Sequence, residues 1–261
     1  MELILYLALG AFAGTLAGLL GIGGGLIIVP VLAALFLGLG YDLDVLMHMA
    51  IGTSLATIVL TSVSSIRAHH ARAAVQWQTF AWMAPGIVLG AWFGVAVADA
   101  LRGDTLRQVF GAFELMVALY MWLDRPICPK RTLPGRGGLS VAGGVIGTVS
   151  AIVGIGGGTL TVPYLQWCNV AMRRAVATAA AVGLPIAVAG AIGYIIAGWG
   201  NPQLPAGTTG YLYWPAFLGI VAASVLFAPL GAHWAHTLPA QHLKRFFAIF
   251  LAGLGLWMLF G

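Results

Sequence analysis

The segment Gly-Ile-Gly-Gly-Gly stands twice in the chain, at residues 21–25 and 154–158, and each copy is followed at the same distance by a Val-Pro pair, Val29-Pro30 and Val162-Pro163. Adjacent glycines cost a helix about 1 kcal/mol each relative to alanine. Each copy lies in the middle of a long apolar stretch, so the sequence predicts a broken helix in each half. In a membrane, paired interruptions of this kind point to a binding site.

The solvent is set by composition. Of 261 residues, 61% are hydrophobic and 7% charged, far below the roughly 25% charged residues of a soluble domain. Apolar stretches of about 17 to 20 residues match a hydrocarbon core about 30 Å thick. They lack the period-two alternation of a membrane barrel, so the expected class is an all-α polytopic membrane protein. The first twenty residues resemble a signal peptide in hydropathy but lack its basic start, since Glu2 is the one charge before residue 40. Cys128 and Cys168 are too few for a disulfide framework and sit in no metal-ligand spacing. The net charge of +5 resides in connectors, where it orients a membrane protein and calls for no nucleic-acid partner.

The chain divides into two similar halves. The first, residues 1–123, reads as a broken unit at about 3–38 and helices at about 49–66, 79–98 and 105–123; after a cytoplasmic linker at 124–138, the second, 139–261, reads as a broken unit at about 139–172 and helices at about 175–198, 212–232 and 241–260. Ala50-Ile51-Gly52-Thr53-Ser54 aligns with Ala175-Val176-Ala177-Thr178-Ala179, and residues 94–106 align with 231–243. Basic connectors at 67–72, 125–136 and 173–174, with the segment before the last helix, belong inside, while the connectors at 38–47 and 200–210 hold no Lys or Arg and belong outside. This makes the halves inverted repeats, each a broken or re-entrant helical hairpin plus three transmembrane helices, with both termini periplasmic. Arms of about 15 to 18 residues reach roughly 22 to 27 Å, so a hairpin with its glycine tip near the midplane is expected. That is the architecture of secondary transporters.

Backbone N–H groups freed at a break find no partner in lipid. A helix restarting there presents free donors and the positive end of its dipole, which suits an anion. The candidate substrate-binding residues are therefore Gly23, Gly24, Gly25, Gly156, Gly157, Gly158 and Thr159, with Thr161 as a further candidate. Pro30 and Pro163 suit a helix start, where a missing N–H is not felt. Thr53, Thr57 and Thr61 repeat every four residues along one helix face. Thr53, Ser54, Thr57 and Thr178 join the candidates as neutral donors, while a bond to the i−4 carbonyl is the competing reading for Thr57 and Thr61. No Lys or Arg lies well inside a span. Glu114 is the one acidic residue that does, which makes it the candidate carrier of a coupling proton; its repeat counterpart is Leu251. His69, His70, Arg67 and Arg72 read as headgroup anchors, and Trp77, Trp82, Trp199 and Trp214 as interfacial residues.

The paired Gly-Ile-Gly-Gly-Gly-x-x-x-Val-Pro segments, with Ala50-x-Gly52-Thr53-Ser54 after the first, resemble the sulfite/sulfonate exporter family, the TauE/SafE group of permeases, over essentially the whole chain. The resemblance implies export of a small organosulfur or sulfur oxyanion, such as a sulfonate, sulfoacetate or sulfite, across the bacterial inner membrane. It implies no cofactor and no metal. The coupling ion, proton or sodium, and the oligomeric state stay open. A passive anion channel and an importer of a similar anion are the alternatives. A membrane enzyme is the weakest reading, since no span holds a nucleophile–base pair, a metal triad or an H-E-x-x-H motif.

Overall fold

A computed structural model describes residues 2–20, 24–123, 131–234 and 240–261, which contain ten α-helices and one short hairpin. Gly21, Ile22 and Gly23 of the first pentapeptide, most of the expected linker and the segment 235–239 lie outside the described residues. The helices are α1 (Glu2–Leu20), α2 (Gly25–Gly38), α3 (Leu43–His70), α4 (Trp77–Asp99), α5 (Gly103–Leu123), α6 (Arg136–Val153), α7 (Gly158–Trp167), α8 (Met172–Ala197), α9 (Trp214–Trp234) and α10 (Ala240–Phe260). The two-residue strands β1 (Thr208–Thr209) and β2 (Leu212–Tyr213) pair antiparallel ahead of α9.

The all-α polytopic expectation holds. Five described helices, α3, α4, α5, α6 and α8, are long and apolar enough to cross a membrane. Their outward faces carry large apolar side chains, among them Leu89, Phe93, Val141, Val145 and Ile196, the inside-out pattern of a lipid-solvated surface. α3 is the central helix: from Val45 to Ile58 every residue is buried. His48 fixes its N-terminal end, with Nδ1 2.9 Å from the Asp44 carbonyl oxygen and Nε2 2.9 Å from that of Ala98 in α4.

Both broken units are present, with unequal arms. The first arm is 19 residues in α1 and 18 in α6, whereas the second is 14 in α2 and 10 in α7. The 15-to-18-residue symmetry expected of each hairpin therefore fails. Long first arms follow from side-by-side packing on full spans: α6 runs along α4 and α1 along α9, the two most extensive helix pairs. The prolines also differ from expectation. Each helix restarts directly after its glycines, so Pro30 and Pro163 fall in the second turn, inside α2 and α7. Without their N–H groups, the carbonyls of Leu26 and Thr159 lose the usual helical donor.

Small residues allow the two large seams to close, as they do between membrane helices generally. In the α4–α6 seam, Gly86 and Gly90 press on the carbonyls of Ser140 and Gly144, while Gly143 and Gly147 press on those of Met83 and Ile87. Thr148 Oγ1 donates to the Gly90 carbonyl at 3.0 Å, and Ser140 Oγ to that of Trp82 at 2.7 Å. Residue numbers rise together along the seam, so the helices are parallel. In the α1–α9 seam, a Cβ on Gly10 would lie 2.5 Å from the Ile220 carbonyl oxygen and one on Gly14 2.7 Å from Ser224 Cα, and Ser224 Oγ donates to the Gly10 carbonyl at 3.0 Å. Gly143 and Gly147 stand 133 residues after Gly10 and Gly14, the spacing of the two pentapeptides; Ile220 and Ser224 stand 137 after Met83 and Ile87, the spacing of residues 94–106 and 231–243. The same contacts thus recur between equivalent positions.

Candidate functional site

The two glycine breaks meet inside the protein. α6 ends in Gly154, whose φ of +72° is left-handed, a conformation open to glycine and costly for other residues. Its N–H and that of Ile155 both return to the Ser150 carbonyl, which closes the helix end. Against this turn lies the start of α2. A Cβ on Gly25 would stand 2.5 Å from the Gly154 carbonyl oxygen and 2.9 Å from Ile155 Cα, so the first tip touches the second through bare backbone. Ser54 of α3 donates to the same Gly154 carbonyl at 2.9 Å.

The remaining candidates separate by what their polar atoms do. Thr57 Oγ1 donates to the Ser54 carbonyl of its own helix at 2.7 Å, and Thr61 Oγ1 lies against the carbonyls of Thr57 and Ile58 at 3.4 and 3.2 Å. Local back-bonding therefore accounts for both. Thr53 and Thr178 are fully buried and play one role twice: Thr53 Oγ1 accepts from the Tyr213 N–H at 3.1 Å, and Thr178 Oγ1 from the Gln76 N–H at 3.0 Å. Tyr213 and Gln76 each directly precede a helix, α9 and α4, at equivalent positions. Each threonine pins the start of the next long helix.

Gly156, Gly157, Gly158 and Thr159 form the second tip and the first turn of α7. Gly157 precedes the helix with no side-chain cap, and a Cβ there would lie 2.6 Å from the Ala179 carbonyl oxygen and 2.8 Å from Gly183 N in α8. Around this tip the hydroxyls of Thr159, Thr161 and Ser150 are buried and have no hydrogen-bond partner. Leaving a buried hydroxyl unmatched costs roughly 1–3 kcal/mol, so each of the three, all within a turn of one helix break, is open to a polar contact; Thr159 and Thr161, two residues apart in α7, face different sides of it. The residues flanking the first break in the same way are Ala17, Leu26 and Ile28. Gly24 packs on its own helix, where a Cβ would be 2.9 Å from Ile28 Cδ1. Gly23 lies outside the described residues.

Glu114 is fully buried in α5, and neither carboxyl oxygen has a partner. Its helix packs on α10 and on α3, and no described hydrogen bond joins it to the tips. Among the described residues no Lys or Arg is buried, so the described polar groups around the tips are neutral hydroxyls and backbone dipoles. Ser150, Ser62 and Gly183 are additions that the sequence did not suggest, since each acquires its place only when α3, α8 and the second tip converge.

The whole chain can be placed among known proteins. Residues 6–258 match the family model described as Sulfite exporter TauE/SafE. The chain belongs to this family. A probable membrane transporter protein of Haemophilus influenzae is 38% identical to this TauE/SafE protein over 253 residues, covering 95% of each chain. A probable membrane transporter protein of Methanocaldococcus jannaschii is 28% identical over 98% of this chain and 94% of its own. The probable membrane transporter protein YdhB of Bacillus subtilis is 26% identical, with 95% and 96% covered. No solved structure matches significantly. This member of the TauE/SafE transporter family is a multi-pass membrane protein.

Proposed function

We propose that this TauE/SafE protein is a secondary transporter that exports a small organosulfur or sulfur oxyanion, a sulfonate, sulfoacetate or sulfite, across the bacterial inner membrane. The anion is held where the glycine tips meet, by the first turn of α7 and by hydroxyls. The observation that carries this reading is the set of buried, unengaged Thr159, Thr161 and Ser150 hydroxyls around a helix break, with no buried Lys or Arg among the described residues. The description of the matching family as sulfite exporters supports the substrate class. Alternating access by two inverted halves, residues 1–123 and 139–261 with both termini periplasmic, is supported by helix pairings that exchange when the halves exchange: α4–α6 with α1–α9, α2–α3 with α7–α8, and α4–α8 with α3–α9. Glu114 is suited to carry a coupling proton, because a buried carboxyl without a counter-ion is most stable neutral.

The test is flux of radiolabelled ethanesulfonate, sulfite and sulfoacetate in proteoliposomes. Saturable, substrate-selective uptake is expected, driven by a gradient of proton or sodium. Ohmic currents without countertransport would make the protein a channel instead, and absence of flux for every sulfur anion would refute the substrate class. Under an imposed pH gradient, Glu114→Gln is expected to lose the gradient-driven part of flux while binding the anion as the parent protein does; unchanged gradient-driven flux would remove Glu114 from the mechanism.

A further inference from the structure

The two glycine tips differ in what stands beside them. At the second, Gly183 of α8 comes so close that a Cβ on it would lie 3.2 Å from Gly157 N and 3.3 Å from Ser62 Oγ of α3. Gly157 N–H precedes the first turn of α7 and so has no acceptor within that helix. Ser62 is 8% exposed, and its hydroxyl is engaged by no described group. Two donors from different elements thus converge beside a bare Cα. The unengaged hydroxyls of Ser150, Thr159 and Thr161 flank the same tip.

The equivalent positions around the first tip lack every one of these side-chain features. At the 125-residue spacing of Thr53 and Thr178, Gly183 corresponds to Ile58 and Ser62 to Ala187; at the 133-residue spacing of the pentapeptides, Ser150, Thr159 and Thr161 correspond to Ala17, Leu26 and Ile28. Ile58, by contrast, packs between the tips: its Cδ1 lies 3.3 Å from a Cβ on Gly25, and its Cγ2 3.4 Å from one on Gly156. Unengaged donors gather at the second tip. The first tip has leucine and isoleucine in their place.

We propose that Ser62, Gly183 and the Gly157 N–H form the seat for the head of the transported anion, and that the first tip, with Leu26 and Ile58, faces an uncharged end. Among the sulfur anions named above this selects a one-ended sulfonate, a single oxyanion head on a short apolar tail, over sulfoacetate, which is charged at both ends, and sulfite, which has no tail. The inference rests on the anion-transport reading given above. Neutral donors suit a monoanion, since no buried Lys or Arg among the described residues supplies a full positive charge to offset a second negative one.

The experiment is calorimetric titration of the purified full-length protein in detergent with ethanesulfonate, 1,2-ethanedisulfonate, sulfite, sulfate and acetate. Ethanesulfonate is expected to bind more tightly than the disulfonate and sulfate. Ser62→Ala is expected to weaken ethanesulfonate binding about tenfold, the effect of one hydrogen bond to a charged group, with Ser62→Thr restoring much of it. Gly183→Ala is expected to weaken it at least as much, with its melting temperature measured alongside; should that variant fail to fold, the two Ser62 variants decide. Failure of the parent protein to bind any of the five anions would overturn the anion-transport reading itself. Parent-like affinity in Ser62→Ala and in folded Gly183→Ala would overturn the seat alone, and tighter binding of the disulfonate or sulfate would overturn the one-ended substrate.

Discussion

The two glycine tips share a backbone plan and differ in side-chain chemistry. Each opens a short helix after a long one, each lies beside a long helix carrying a buried threonine that pins the next helix, and each is served by a seam of small residues at equivalent positions. Beyond that the equivalence ends. The second tip is flanked by unengaged hydroxyls and a glycine on α8, the first by aliphatic side chains. The difference separates two demands on the sequence: features that hold the helices together recur in both halves, and features that can address a ligand gather at one tip. Position 52 shows the same economy in packing. A Cβ on Gly52 would meet Tyr194 Cβ and the Tyr211 carbonyl oxygen, each at 3.0 Å, whereas its counterpart Ala177 packs on the smaller Ala74 and Val75.

The strongest challenge to the shared frame is to overfill both seams. Gly90→Leu in the α4–α6 seam and Gly14→Leu in the α1–α9 seam each force a side chain against backbone, and overpacking of this kind costs about 3 kcal/mol. Both variants are expected to melt well below the parent in detergent and by similar amounts. A parent-like melting temperature for either one would break the equivalence of the seams.

The contrast between the tips is sharpened by exchanging their side chains. Thr159→Val with Thr161→Val is expected to weaken anion binding about tenfold, the value of a hydrogen bond to a charged group. The reciprocal change Leu26→Thr is expected to alter affinity less than twofold, because a lone hydroxyl there joins no donor cluster. Equal losses from equivalent changes at the first tip, such as Leu26→Ala with Ile28→Ala, would show that both tips hold the head group.

The smallest effects test the threonine pair. Thr53→Ala and Thr178→Ala each remove one acceptor from a helix start, worth about 1 kcal/mol, and should lower the melting temperature alike while leaving anion affinity near the parent value. A large affinity loss with unchanged melting temperature would return both residues to the binding site expected from sequence.

Much of the fold was legible because lipid leaves few choices. Apolar stretches of spanning length, separated by polar connectors, located most helices to within three residues; α3 starts at Leu43 instead of about residue 49, inside the expected connector, and α9 at Trp214 instead of about 212 because Leu212 and Tyr213 pair with Thr208 and Thr209. The site was legible only in outline. Glycines 24, 25 and 156–158 announced the breaks, but that Gly25 rests on the Gly154 carbonyl, a contact spanning 129 residues, is no property of either segment alone. Thr53 and Thr178 were visible as a pair, but their partners, Tyr213 and Gln76, stand 160 and 102 residues away. Ser62 and Gly183 escaped notice since neither belongs to a motif.

The sequence by itself determined that this chain lies in a membrane, that it is helical, and that two helices are broken at related places, because hydropathy, charge placement and the conformational cost of glycine are local properties. Only the tertiary structure decided which hydroxyls are engaged and which are left over. A hydroxyl's freedom depends on what long-range packing brings within about 3 Å of it, and this packing satisfies Thr53, Ser54, Thr57 and Thr178 while leaving Ser150, Thr159 and Thr161 without a partner at a single tip.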